Sequence, residues 1–169
     1  MPSSIRGTLI DRSAKITLME DGILVAPAPY TSSSAYYFPT TGRINSVEVL
    51  KGPSSISQGP STIGGAINMI STPITELASG KLTQEFGQNG MLRTHAYYGG
   101  VSGNFGGLVE IHEHQSDGFD SVANVGGDTG FDKSDLMIKA RYENGDHSVT
   151  FKMVDIDEVS NQSYVGLSG

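Results

Sequence analysis

The sequence predicts an α+β unit followed by a run of antiparallel β-strands, with the change of grammar near residue 75. Three observations support this division. Up to Pro73 the apolar runs are short and are separated by stretches rich in glycine, proline and serine. After Pro73 come five longer segments of alternating polarity. Their connections are mostly tight turns, with one long loop. The boundaries adopted are 1–75 for the first unit and 76–169 for the second.

Within the first unit, Lys15 to Glu20 (KITLME) and Ile23 to Pro27 (ILVAP) flank Asp21-Gly22, the signal of a tight hairpin. Residues 27 to 41 read as a loop, because proline and serine deny that stretch both helix and ladder bonds. Val47 to Leu50 forms the next strand and Gly52-Pro53 stops it. A helical turn is predicted from Pro53 to Ser57, with proline at the first helical position where its missing N–H costs nothing. A last strand covers Ala66 to Ile70. The unit is thus a small mixed sheet with short helices and glycine-rich connections.

The second unit is predicted to contain strands at Lys81–Gly87, Met91–Gly100, Phe105–Gln115, Phe131–Glu143 and His147–Asp157. Four of these approach the nine to eleven residues that a tilted strand needs to cross a bilayer. In the third, Phe105, Gly107, Val109 and Ile111 oppose Leu108, Glu110, His112 and His114. The fourth sets Leu136, Ile138, Ala140 and Tyr142 against Asp135, Met137, Lys139 and Arg141. In the fifth, Val149, Phe151 and Met153 oppose Ser148, Thr150 and Lys152. One face is apolar and the other is expected to be wet. Gln88–Gly90, Ser102–Asn104 and Asn144–Asp146 read as hairpin turns, and 116–130 as a long loop. The rims then alternate, with Gln88–Gly90 and the long loop on one and the other two turns opposite, a habit of membrane barrels. Alternation alone leaves a soluble sandwich equally open.

Composition narrows the function. The 169 residues carry a net charge of −7 without a cluster of lysine or arginine, which argues against nucleic-acid binding, since that needs a basic stripe to displace counterions. With no cysteine, neither a disulfide framework nor a thiolate metal site is available. No signal peptide is visible in the first residues, and no apolar run is long enough for a spanning helix. His112 and His114, two apart on one strand face, could share a metal, but a polar pair lining a lumen is preferred and no metal site is assigned. Gly126–Asp132 (GGDTGFD) is a single copy of a calcium-type repeat and reads as a loop. Lys51-Gly52 lacks the Gly-Lys-Ser/Thr ending of a phosphate loop. Gly100–Gly107 is followed by a strand where a dinucleotide fingerprint needs a helix, and no nucleophile elbow is present. No catalytic residue is assigned and the protein is not expected to be an enzyme.

The stretch Val47-Glu48-Val49-Leu50-Lys51-Gly52-Pro53, followed by GPSTIGGAINMIS from Gly59 through Gly64 and Gly65, closely resembles the plug signature of TonB-dependent outer-membrane receptors. Arg6-Gly7 and Leu18–Ile23 match earlier plug motifs in the same order. Downstream, LRTHAYYGG, SDGF, TGFDKSDLMIKARY and SYVGL resemble the opening barrel strands of the ferric-dicitrate branch. The resemblance covers essentially the whole chain and implies an α+β plug followed by the first strands of an incomplete transmembrane β-barrel. It implies uptake of a ferric chelate, iron(III) dicitrate or another siderophore, driven by the inner-membrane TonB complex. The localisation implied is the outer membrane, in contact with its lipid, and the chelate is cargo, so no cofactor is expected. The family's TonB box and first plug strands have no counterpart here, and about five strands cannot close a barrel, so the chain reads as an internal piece of a longer receptor.

The resemblance also suggests particular residues. Arg6 matches an arginine that pairs the plug to glutamates of the barrel wall. The outward plug tips, Ala28-Pro29-Tyr30 and Gln58-Gly59-Pro60-Ser61, are the candidates for ligand contact, where Gln58, Ser61 and backbone N–H groups offer donors to an anionic chelate. Gly52, Gly59, Gly64 and Gly65 are expected at left-handed or crowded backbone positions. The rival from another class is a soluble β-rich binding or adhesion module, which predicts an apolar inner face shared between two sheets. A serine–histidine hydrolase finds almost no support.

Overall fold

A computed structural model describes residues 16–25, 39–59, 62, 64–119 and 128–161. The chain divides into two compact units, Met1–Pro73 and Ile74–Gly169.

Among the described residues of the first unit, β1 (Ile16–Glu20), β2 (Ile23–Leu24), β3 (Ile44–Leu50) and β4 (Gly65–Ser71) form a sheet of order β2-β1-β4-β3. The sheet is mixed, with β1 parallel to β4 and the other pairs antiparallel. Every residue of β1 is buried, and Ile16, Leu18 and Met19 pack with Ala66 and Met69 of the neighbouring strand as the core. The β1–β2 turn is made by Asp21 and Gly22, both at positive φ (49° and 80°), the geometry that right-handed strand twist favours in a two-residue hairpin. The Asp21 carboxylate accepts the Ser71 backbone N–H at 2.9 Å and its hydroxyl at 2.5 Å. Gly22 N–H donates to the Asn68 side chain at 2.9 Å, so the hairpin tip is tied to the far end of β4.

The expected helices are reduced to two 3₁₀ turns, Thr41–Arg43 and Pro53–Gln58, and no α-helix occurs among the described residues. Serine and glycine supply little helix propensity, and six residues are too few to pay for helix nucleation. The second turn runs between Gly52 (φ 93°) and Gly59 (φ 113°), backbone positions that a side chain would strain.

In the second unit β5 (Ser79–Phe86), β6 (Leu92–Ser102), β7 (Phe105–Ser116), β8 (Phe131–Asn144) and β9 (His147–Ser160) pair in chain order, all antiparallel. The strands are longer than the sequence suggests by one to a few residues. The predicted rims hold: Asp117 N–H donates to Asn89 O at 2.8 Å, joining the long connection to the β5–β6 turn, and Glu143 N–H donates to Asn104 O at 2.9 Å at the opposite rim.

The register sorts the side chains into two faces of opposite character. One carries the rows Leu82–Ala96–Ile111–Leu136, Tyr98–Val109–Ile138–Met153, Gly100–Gly107–Ala140–Phe151 and Ser102–Phe105–Tyr142–Val149. The other carries Thr83–His95–His112–Asp135, Lys81–Tyr97–Glu110–Met137 and Glu85–Arg93–His114–Lys133–Glu158. Burial inverts the usual rule. Glu110, His112, Asp135 and Lys139 are buried, whereas Tyr98 and Phe105 are each 67% exposed, Phe151 60% and Val109 48%. The face expected to be wet is therefore the buried one, and the apolar face is open.

Candidate functional site

Two places carry the chemistry expected of a receptor: the plug signature with its loop, and the polar face of the second sheet.

Val47 to Leu50 lie on β3, with Val47 and Val49 about half exposed. Glu48 accepts a hydrogen bond from Asn68 of β4 at 3.0 Å. Lys51 is exposed, Pro53 takes the first position of the 3₁₀ turn, and Gly64 and Gly65 are buried, Gly65 at φ 141°. The turn is held from inside by Ser55, whose buried hydroxyl donates to Gly52 O at 2.7 Å and lies 3.2 Å from Thr62 O. Gln58 is half-buried and donates to its neighbour Ser57 at 3.3 Å. Arg6, Ala28, Pro29, Tyr30, Pro60 and Ser61 lie outside the described residues, so only Gln58 and Gly59 of the proposed tips can be placed.

Below this loop region the sheet contains a buried ion pair that the sequence did not announce. Arg43 Nη2 donates to Glu20 Oε2 at 2.9 Å, with the two side chains 0% and 7% exposed. Arg43 ends the first 3₁₀ turn and Glu20 ends β1. The only sequence hint is a solitary arginine directly before a strand.

On the second sheet the polar face is a lattice of paired charges. Arg93 is ion-paired with Glu85, and Lys133 Nζ lies 2.9 Å from Glu158 Oε2, at the two ends of one cross-strand row. His95 Nε2 and Glu110 Oε1 are 2.6 Å apart. His112, directly across from His95, packs against its ring at 5.7 Å. Every Lys and Arg after residue 74 (Lys81, Arg93, Lys133, Lys139, Arg141, Lys152) falls on this face by register. His112 and His114 do share it, with ring centroids 6.4 Å apart, but no group of three or more metal-ligating side chains suited to an ion occurs among the described residues.

At the rim of the long connection, Asp128 Oδ1 accepts from Gly130 N at 3.0 Å and from Asn161 Nδ2 at 2.9 Å, and Asn161 N donates to Gly130 O at 2.9 Å. The backbone bond from Gly130 and then that from Asn161 hold the Asp128 carboxyl below its ordinary pKa. A depressed carboxylate stabilises the fold above its unfolded pKa and loses that contribution as pH falls through the folded value. A carbon-13 titration of the Asp128 carboxyl should show a midpoint below the usual aspartate range. The Gly130 amide shift should move with the same midpoint, and that step should vanish in Asp128→Ala.

Residues 2–66 match the family profile described as the TonB-dependent Receptor Plug Domain. Over this stretch the chain is similar to a TonB-dependent receptor plug. Solved structures extend the likeness beyond the plug. The ferric citrate transporter FecA in its unliganded form matches 92% of this chain with a TM-score of 0.71 at 20% identity. The ferric yersiniabactin uptake receptor FyuA of Yersinia pestis matches 83% with 0.66 at 22%. The pyoverdine outer membrane receptor FpvA of Pseudomonas aeruginosa PAO1 matches 84% with 0.67 at 21%. At these identities the likeness is one of fold. The chain spans 24%, 22% and 20% of those three proteins respectively.

Proposed function

We propose that the chain is part of an outer-membrane receptor that imports a ferric chelate with energy delivered through TonB. In this reading residues 1–75 are the plug and residues 76–169 the opening strands of the barrel. The observation that carries it is the inversion of burial on a sheet that follows a TonB-dependent receptor plug. A five-stranded sheet that exposes its apolar face and buries its charges suits lipid outside and a polar lumen inside. A soluble sandwich would bury that apolar face against a second sheet, whereas Tyr98, Phe105 and Phe151 on it are 67%, 67% and 60% exposed.

Iron(III) dicitrate is the first cargo to test, another siderophore the second, on the resemblance of the barrel strands to the ferric-dicitrate branch. Ligand contact is assigned to Tyr30 and to Gln58, Gly59, Pro60 and Ser61, and plug-to-wall pairing to Arg6. The ordered turn from Gly52 to Gly59 supports the second tip, because Ser55 holds the loop in one shape and so lowers the entropy cost of binding.

The full-length receptor, expressed in an outer membrane, should take up iron loaded on citrate in a saturable, TonB-dependent way. Replacing Gln58 to Ser61 by a glycine-serine tip should abolish uptake while leaving the inserted barrel intact. Saturable uptake of a different chelate would change the cargo, and no chelate uptake by a properly inserted receptor would overturn the function.

A further inference from the structure

The apolar face of the second sheet is not uniformly covered by side chains. The row Gly100–Gly107–Ala140 runs across β6, β7 and β8 between two rows of large residues, Tyr98–Val109–Ile138 on one side and Phe105–Tyr142 on the other. A groove of about 640 Å³ follows, with Gly100 and Gly107 in its floor and Tyr98, Phe105, Val109 and Ile138 in its walls. Its two ends differ. A Cβ at Gly100 would meet Ala78 Cα at 2.7 Å, so the chain entering β5 closes that end. A Cβ at Gly107 would meet only Lys139 O, at 3.9 Å, so the floor there is open. Phe105, the wall next to the short-turn rim, packs against the Tyr142 ring in a tilted arrangement with centroids 4.8 Å apart.

Charge says what can lie there. All six basic side chains of this unit point to the opposite face, and the acids on the open face, Glu113, Asp132, Asp155 and Asp157, lie on the far-rim side of these rows. The three rows that make the groove carry no Asp, Glu, His, Lys or Arg. A protein partner would find neither charge nor a free backbone edge here, since β6, β7 and β8 are each paired on both sides. An uncharged, flexible, unbranched occupant fits: it needs no hydrogen bond and gains from contact with the glycine floor and aromatic walls. Ser102 and Tyr98 place hydroxyl-bearing residues at the margin of the groove, where an ester group needs donors.

We propose that this groove is a binding site for one acyl chain of a phospholipid in the leaflet on the short-turn side. The inference rests on the membrane-barrel reading, and the experiment separates the two. The full-length receptor is reconstituted in phosphatidylethanolamine–phosphatidylglycerol vesicles containing a trace phospholipid with a diazirine midway along one acyl chain. After photolysis, the labelled peptides are mapped by mass spectrometry, and insertion is scored independently by the shift in gel mobility on heating. Labelling should concentrate on the segments carrying Tyr98, Phe105 and Val109. It should be lost in Gly107→Leu, which fills the floor without backbone strain, and in Tyr98→Ala, which removes a wall. Ala96→Leu, on the same face but outside the groove, should keep it. Uniform labelling along an inserted barrel, or labelling unchanged by both groove variants, overturns the site and leaves the receptor reading intact. A wild-type protein that shows no mobility shift and no lipid labelling overturns the membrane reading and the site with it.

Discussion

Val109→Arg is expected to destabilise the inserted receptor by about 2–4 kcal/mol if its row lies near the bilayer midplane, the cost of a basic side chain on the lipid face of a barrel. The same change on an aqueous surface away from any packed feature would be worth within about 0.5 kcal/mol. Val109 is 48% exposed, so loss of packing cannot account for the larger figure; the solvent has to. Urea unfolding of the full-length protein in lipid vesicles measures the difference. Lys133→Ala supplies the contrast from the polar face. Its ion pair with Glu158 is partly open, with side chains 21% and 47% exposed, and its removal should cost no more than about 1 kcal/mol. Equal, small effects at both positions would mean that the open face does not meet lipid.

Arg43→Ala is expected to cost about 3–5 kcal/mol in the first unit, because it breaks a buried ion pair by removing one member. Removing both charges together should cost much less: Arg43→Met with Glu20→Leu replaces the pair by apolar groups that the surrounding Ile16, Leu18 and Met69 core can accept. The double-mutant cycle, read by calorimetry or denaturant unfolding of the full-length receptor, gives the coupling directly. A single mutant as mild as the double would show that Glu20 reaches solvent or another cation when Arg43 is gone.

Much of this architecture is legible in the residues. Asp21-Gly22, Asn89-Gly90 and the glycines at 103 and 145 announce left-handed turn positions, and the structure places all six at positive φ. Period-two alternation identifies the five long strands and both faces, because register is tightly specified wherever the faces differ in polarity. Which face is buried was not legible. Alternation is symmetric, and the usual expectation that polar side chains are wet fails when the apolar side has its own solvent. The helices were overstated because a proline at the first position is equally at home in a 3₁₀ turn, and nothing in Ser54-Ser55-Ile56-Ser57 favours the longer form. The links from Ser55 to Thr62, from Asp21 to Ser71 and from Arg43 to Glu20 escaped notice for a common reason: they span 7 to 50 residues, and pairing across such distances leaves no periodic trace. For the ligand-contact residues, Gln58 and Gly59 are in place at the end of an ordered turn, and the sequence offers no more than that position.

The parallel pairing of β1 with β4 sets the order in which the two units can acquire structure. Ile16 meets Gly65 and Glu20 meets Met69, so the central strand of the plug gains its main neighbour only after some fifty intervening residues have emerged. Each strand from β6 to β9 finds a partner in the strand just before it, three of the four times across a tight turn. Local hairpins close in about 1–10 μs, whereas distant pairings must first overcome the entropy of a large loop. The first unit, although it comes earlier in the chain, is therefore the slower to form, and its open strands are the ones that stay exposed to aggregation longest.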